Sequence, residues 1–189
     1  MRFPSARPRC IFSVMTTDLR YPIGRLERPT AFSDTSRSAA VAAIASTPAA
    51  LRRSVHGLNN SQIDTPYRPE GWTVRQLVHH LADSHLNAYV RTRLALTEDN
   101  PTIKPYDETL WAELADAKAA PIESSLQMLE SMHERWVLLI KSMEPAHFSR
   151  TMNHPERGPM TLDLTIETSA WHGNHHVAHV TDLRKREGW

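Results

Sequence analysis

A chain of 189 residues is long enough for one domain that buries roughly 70% of its unfolded surface, so no disulfide is needed for stability. Its 22 Lys and Arg against 21 Asp and Glu give a net charge of +1, which offers no global attraction to nucleic acid or an anionic membrane and favours a small-molecule partner. The single cysteine, Cys10, excludes an intramolecular disulfide and a CxxC zinc site and is compatible with a reducing cytoplasm, and the lack of an apolar run of about 18 residues predicts no membrane span.

The first residues are expected to lie outside the domain. Residues 1–14 contain three arginines and no acid, lack the sustained apolar core of a secretory signal, and are followed by Met15, an alternative start. We therefore expect residues 1–18 to be a disordered extension or the result of a start assigned too early, and residues 19–189 to form a single domain. From Leu19 to Thr30, two prolines and a glycine rule out a regular helix and predict an irregular arm.

The first two long helices are predicted by periodicity and by their end signals. The first covers about residues 33–56, and Pro48 within it predicts a kink or a break near Thr47. The second begins where Thr73 and Gln76 can form a capping box and continues to about Thr97, with apolar residues at helical spacing.

Two further long helices complete the predicted fold. After a short helix from Pro105 to about Ala117, the third long helix follows Pro121, and its side chains form the clearest core stripe in the chain: Ile122, Leu126, Leu129, His133, Trp136, Ile140 and Met143. His133 lies on this stripe, which favours a core residue or a residue behind a metal ligand. Residues 148–161 predict a loop or small hairpin, and the fourth helix begins near Thr161 or Asp163 and ends about residue 186. The fold class is therefore all-α, a four-helix bundle.

Seven of the 11 histidines fall in two short windows, one in the second helix and one in the fourth. They are His79, His80 and His85, and His172, His175, His176 and His179. Histidines four apart on a helix share a face, so two of them can bind one divalent cation while a third ligand comes from another helix. Gly173 and Asn174 are poor helix formers inside the second window, which we interpret as a further sign of a functional rather than a purely stabilising sequence.

Spacing alone leaves the ligand set open. In the fourth helix the pairs His172 with His176 and His175 with His179 both have the required spacing, and helical projection at about 100° per residue places the first pair closer to the apolar face. In the second helix the same projection places His85 deepest and does not separate His79 from His80.

Several long motifs resemble one known family. They are Thr65-Pro66-Tyr67-Arg68, Gly71 to Gln76, His79 to His85, Pro105-Tyr106-Asp107, and Trp171 to His176 with Gly188-Trp189, together with the Tyr21-Pro22-Ile23-Gly24 arm. In this order and at these intervals the chain resembles the YfiT proteins of the DinB superfamily from about Leu19 to Trp189. The resemblance implies a four-helix bundle that forms a homodimer and holds one zinc, or alternatively nickel, per chain. Carried over by position, the implied ligands are His80, His172 and His176.

Three histidines leave a coordination position open, as expected of a catalytic rather than a structural site. The resemblance implies a metal-dependent hydrolase, in which the ion activates water. Two alternatives stay open: a metal-dependent S-transferase of a bacillithiol-type thiol, as in related members of the superfamily, because a metal deprotonates a coordinated thiol, and a non-catalytic metal-binding or ligand-binding bundle. Candidates for hydrogen bonding to the ligands are Asp83, His85 and His175.

The remaining expectations concern the surroundings of the site. Trp171 and the loop from Pro101 to Asp107 can form the walls of its entrance. No serine or cysteine nucleophile is predicted, since Cys10 lies in the N-terminal segment. We expect a cytoplasmic location.

Overall fold

The computed structural model describes residues 18–189. The expectation about residues 1–18 lies outside the described residues except for Asp18. In the described part, no helix is both long enough and apolar enough to cross a membrane.

Four long helices, named α1, α3, α6 and α7 below, form the bundle. In chain order the elements are α1 (Asp34–Val55), α2 (Asn60–Ile63), α3 (Val74–Thr97), α4 (Glu108–Ala112), α5 (Ala115–Ala119), α6 (Glu123–Lys141), a 3-10 helix (Pro145–Ser149), β1 (Thr151–His154), β2 (Gly158–Thr161) and α7 (Leu162–Glu187). Both α1 and α3 pack against α6 and α7, which places the two histidine-bearing helices, α3 and α7, next to each other. The predicted all-α bundle is confirmed, with a two-stranded hairpin added to it.

The ends of the site-bearing helices follow from local sequence. Thr73 and Gln76 form the predicted capping box at the start of α3. The Thr161 side chain accepts from the amide of Leu164 at the start of α7, and Gly188 ends this helix in the left-handed conformation at φ 73°. These caps fix the residues at which the two histidine-bearing helices begin and the residue at which α7 ends.

Of the kink or break predicted near Thr47, a break does not occur, because α1 continues through Pro48 to Val55. Proline has no amide hydrogen, so the carbonyl of Ile44, four residues earlier, loses its usual helical donor. In the structure the Nδ1 atom of His133, from α6, lies 2.7 Å from this carbonyl oxygen and donates to it. A side chain from another helix thus satisfies the backbone group that Pro48 leaves without a partner.

The core stripe predicted for α6 is confirmed at its centre. Trp136 is fully buried between the helices, and its indole Nε1 donates to Thr92 Oγ1 of α3 over 3.2 Å. Leu126, Leu129, His133 and Ile140 are also buried. His133 therefore lies inside the bundle beside α3, as a core histidine.

The hairpin holds the connection between α3 and α4 in place. The amide of Asn153 in β1 donates to the carbonyl of Pro101, and the amide of Ile103 donates to the carbonyl of Asn153. A small apolar cluster fixes the same region: Ala95, Ile103, Met152 and Leu162. The helix predicted between Pro105 and Ala117 is in fact two short helices, α4 and α5.

Gly173 has a packing role that the sequence analysis did not identify. A Cβ atom at this position would lie 2.5 Å from Oγ1 and 2.8 Å from Cγ2 of Thr47, a buried residue of α1. The Thr47 side chain is held by a hydrogen bond to the carbonyl of Ala43. Close contact between α7 and α1, rather than the metal site itself, explains this glycine.

Replacing Gly173 with alanine should therefore lower the free energy of unfolding. Alanine gains about 1 kcal/mol of helix propensity, but forcing a methyl group into a filled contact costs typically about 1–3 kcal/mol. We expect a net loss of about 1 kcal/mol in chemical denaturation. The neighbouring Asn174→Ala is the control, because Asn174 is exposed and its substitution should be neutral or slightly stabilising. Thr47→Ala should reduce the cost of Gly173→Ala in the double variant. A Gly173→Ala protein as stable as the wild type would contradict this account.

Candidate metal centre

Three histidines from two helices converge in the bundle. His80 Nε2 lies 3.3 Å from His172 Nε2, and His172 Nε2 lies 3.0 Å from His176 Nε2. Among the described residues these three form the group of histidine, cysteine or acidic side chains whose ligand atoms all lie within 4.8 Å of one another. The three residues implied by the family resemblance are thus the ones that the fold brings together.

The spacing of the three nitrogens fits a divalent cation. Zn–N bonds of 2.0–2.1 Å in tetrahedral geometry separate two ligand nitrogens by about 3.3 Å, close to the two short distances in the structure. The donors are imidazoles, which suit zinc, nickel and copper better than calcium or magnesium. A three-nitrogen set of this kind leaves one coordination position for water or substrate.

Burial prepares the three imidazoles to act as ligands. It lowers the pKa of His80 to about 4. Burial, followed by the charges of neighbouring histidines, also lowers the pKa values of His172 and His176 well below their usual range. Only the neutral ring can bind a metal, so these shifts keep the three rings able to bind one at neutral pH.

Asp83, His85 and His175 were the candidates for hydrogen bonding to the three histidines. Among the described residues, only His85 does so. Its Nε2 lies 3.3 Å from Nδ1 of His172, on the side of that ring away from the cluster. Its side chain is 1% exposed, in agreement with the projection that placed it deepest in α3. Behind it, His85 Nδ1 lies 2.8 Å from Nε2 of His133.

Asp83 and His175 do not hydrogen-bond to the three ligands in the described structure. Asp83 is half-buried, and burial, with a smaller effect of Asp116, raises the pKa of its carboxyl to about 6. His175 Nε2 lies 3.0 Å from His179 Nε2, and the His175 ring stacks on Trp171 at a centroid distance of 4.4 Å. Neither residue therefore orients His80, His172 or His176 directly.

His175 and His179, which the helical projection placed further from the apolar face than His172 and His176, are nevertheless inside the protein. Both are buried, because the N-terminal arm and the segment before α3 cover that side of α7. The Tyr21 ring lies 6.2 Å from the His175 ring, and the Tyr67 ring 4.2 Å from that of His179. Helical projection from one sequence could not foresee this cover, since neither segment is a helix.

Trp72 is a site residue to which the sequence analysis gave no role. Its ring lies 4.6 Å from that of His80, at the edge of the cluster. Its position directly before the capping box of α3 was the sequence signal that could have identified it.

His79, the neighbour of His80 in the chain, points away from the three-histidine cluster. Its Nδ1 lies 2.7 Å from Ser125 Oγ and its Nε2 3.2 Å from the carbonyl of Ala120.

The three histidines open onto a cavity of about 470 Å³. As expected, Trp171 and the loop residues Pro105 and Tyr106 line it. Its charged lining residues are Arg91, Arg157, Glu108 and Glu156. The volume is within the range of small-molecule sites, so the cluster is accessible to a substrate rather than sealed in the core.

The sequence matches a known family over most of its length. Residues 43–180 match the model of the DinB superfamily. A Bacillus mycoides protein named "Putative metal-dependent hydrolase" is 51% identical over 172 residues, which cover 91% of this chain and 99% of the relative. A protein of Bacillus thuringiensis subsp. konkukian with the same description is also 51% identical over the same coverage.

A solved structure is similar in both fold and sequence. YfiT from Bacillus subtilis, described as "a probable metal-dependent hydrolase with an unusual four-helix bundle topology", superposes with a TM-score of 0.88 at 43% sequence identity. The match covers 90% of this chain and 98% of that protein. The three-histidine cluster thus lies in a fold already linked, in that relative, to metal-dependent chemistry.

Proposed function

The chain belongs to the DinB superfamily, in the group that includes YfiT, and from this membership we propose that it is a metal-dependent hydrolase acting on a small molecule. The observation that carries the proposal is the convergence of His80, His172 and His176 on one point at the wall of an open cavity. The relatives named as metal-dependent hydrolases support the same assignment. The descriptions of these relatives support hydrolysis ahead of thiol transfer and of non-catalytic binding.

We assign the three histidines as the ligands of one divalent ion per chain and zinc as that ion, with nickel as the alternative. The all-imidazole donor set suits both metals. A zinc ion held this way supplies Lewis acidity and lowers the pKa of a coordinated water to about 7.

The side chains around the cluster support hydrolysis by water rather than by a protein nucleophile. Four Ser and Thr hydroxyls line the cavity: Ser84, Thr165, Thr168 and Ser169. None of them is hydrogen-bonded to a histidine in the described structure, and Thr165 and Ser169 instead donate to carbonyls of their own helix. A serine needs an adjacent base to become a nucleophile, and these lack one.

The remaining cavity residues bind and orient the substrate. Trp72 and Trp171 provide apolar walls beside the histidines. Arg91 donates to the carbonyl of Lys104 and thereby connects the cavity to the loop over it.

Hydrolysis should depend on the metal and not on a thiol. Protein loaded with zinc or nickel is incubated with a panel of esters and amides, with and without a chelator, and products are followed by mass spectrometry. We expect hydrolysis that the chelator abolishes and the metal restores, and that His176→Ala lacks. His56→Ala, at an exposed position that does not line the cavity, is the control and should keep activity.

Two results would contradict the hydrolase assignment. Turnover only when cysteine, glutathione or bacillithiol is added together with an electrophile would assign the chain to thiol transfer. Ligand binding that raises the melting temperature without any turnover would assign it to the non-catalytic binding bundles.

A further inference from the structure

Three histidines, of which His85 and His133 are buried, connect the metal cluster to the backbone of α1. Their nitrogen atoms follow one another at hydrogen-bonding distance from the Ile44 carbonyl to His133, His85 and His172. The first two contacts are 2.7 and 2.8 Å, and the third is 3.3 Å. The series crosses the bundle from α1 through α6 and α3 to α7.

The carbonyl at the far end determines the direction of every bond in the series. A carbonyl oxygen can only accept, so His133 must carry its proton on Nδ1. In a neutral ring the other nitrogen is then an acceptor, and His133 Nε2 must receive the Nδ1 proton of His85. By the same reasoning His85 Nε2 receives the Nδ1 proton of His172. The last ring is left with an unprotonated Nε2.

The free lone pair on His172 Nε2 points into the cluster. This atom is the one that lies 3.3 Å from His80 Nε2 and 3.0 Å from His176 Nε2. A metal ligand needs an unprotonated nitrogen, and the proton on its other nitrogen is normally held by an acceptor. Here the acceptor is a histidine rather than the usual carboxylate or carbonyl.

The geometry of the inner pair shows a hydrogen bond rather than ring stacking. The planes of His85 and His133 differ by 8° and their centroids are 4.9 Å apart. With nitrogen atoms only 2.8 Å apart, the two rings lie edge to edge in nearly one plane, which is the arrangement that an in-line N–H···N bond requires. Trp136 packs edge-on against both rings and holds them in this plane.

From these contacts we propose that His133 and His85 are positioning residues, which fix the tautomer and orientation of His172 before metal binds. Pro48 contributes to this arrangement, because it leaves the Ile44 carbonyl available to His133. The relevance of this series to catalysis rests on the proposed function, whereas the assignment of the tautomers does not depend on it. His80 and His176 have no such partner in the described structure, and His176 Nδ1 is buried without a hydrogen bond. Of the three proposed ligands, His172 is therefore the one whose tautomer and orientation are fixed by the fold before metal binds.

The tautomers can be read directly from the wild-type protein. Nitrogen-15 NMR of histidine-labelled, metal-free protein distinguishes a protonated from an unprotonated ring nitrogen. We expect His133, His85 and His172 all to carry the proton on Nδ1 alone. A proton on Nε2 of His172 in the metal-free protein would overturn the proposal. This measurement needs no variant and so does not depend on whether substitutions at buried positions fold.

Two substitutions of His133 separate positioning from packing. His133→Gln keeps an oxygen that can accept from His85, whereas His133→Leu fills the apolar space beside Trp136 without any acceptor. Loss of a partner behind a ligand typically weakens metal binding about 10–100-fold. We expect the zinc dissociation constant, measured by chelator competition, to rise about 10-fold in His133→Leu and less in His133→Gln, with the Nδ1 tautomer of His172 lost only in the leucine variant.

A role in packing alone predicts the opposite order, since leucine suits a buried site better than glutamine. Equal zinc affinity in both variants and the wild type would overturn the proposal. If only the proposed function were wrong, the result would differ. The three Nδ1 tautomers would still be present, but the wild type would bind no metal or hydrolyse nothing.

Discussion

Replacing His172 with alanine is expected to abolish tight binding of a divalent ion. His172 is the central ligand of the proposed set, because its Nε2 lies within 3.3 Å of both other ligand nitrogens. Removing a ligand should cost more than the about 10–100-fold that loss of a residue behind a ligand costs. Elemental analysis should fall from about one ion per chain to almost none. Saturating zinc, which at about 100 times its dissociation constant stabilises a protein by about 2.7 kcal/mol, should no longer raise the melting temperature.

His179→Ala is the matched control for this experiment. His179 has the same side chain on the same helix and is also buried, but it pairs with His175 and does not belong to the three-histidine cluster. We expect it to keep its metal. The reverse result, with metal lost in His179→Ala and kept in His172→Ala, would show that the other pair with four-residue spacing provides the ligands.

The choice between these two pairs shows how far the sequence alone determines the site. Four-residue spacing and the apolar face of α7, both properties of a single helix, favoured His172 with His176, the pair that the structure brings together with His80. The third ligand could not be found in this way. Whether His79 or His80 faces α7 depends on how α3 is rotated against its neighbours. In the structure His79 faces Ser125 and the carbonyl of Ala120 instead. The resemblance to a family supplied His80, and periodicity did not.

The fold was predictable where it depends on local signals and less so where a distant residue intervenes. The capping box at Thr73 and the apolar stripe of α6 are local and were read correctly. Pro48 predicted a kink or a break near Thr47, and the break does not occur, because the donor that replaces the missing amide belongs to His133 in another helix. The same contact begins the histidine series that ends at His172. The proline within α1 is therefore explained by a contact with His133, a residue of the histidine series that leads to the proposed metal site.

The metal-free protein is expected to unfold cooperatively in mild acid, between about pH 6.5 and pH 4. Burial lowers the pKa of His133 to about 4 and that of His179 to about 3 from the ordinary value of 6.5. Between these values the unfolded chain binds protons that the folded chain does not. Stability is therefore full above pH 6.5 and is lost as the pH falls toward 4. Each pKa unit corresponds to about 1.4 kcal/mol, so a buried histidine of this kind costs about 3 kcal/mol by pH 4.

Protonation of several buried histidines together should offset most of the stability of the domain. Small domains unfold at a cost of about 5–15 kcal/mol, and His80 and His175 also have pKa values lowered to about 4. Urea denaturation across this pH range measures the slope of the free energy of unfolding with pH, which is about 1.4 kcal/mol per pH unit for each proton taken up on unfolding. His133→Gln should reduce this slope by about one proton near pH 5, whereas His56→Gln, at an exposed position, should leave stability much less affected. Stability that did not change between pH 7 and pH 4 would show that the buried histidines accept protons in the folded state, and that the bundle admits water to its histidine core.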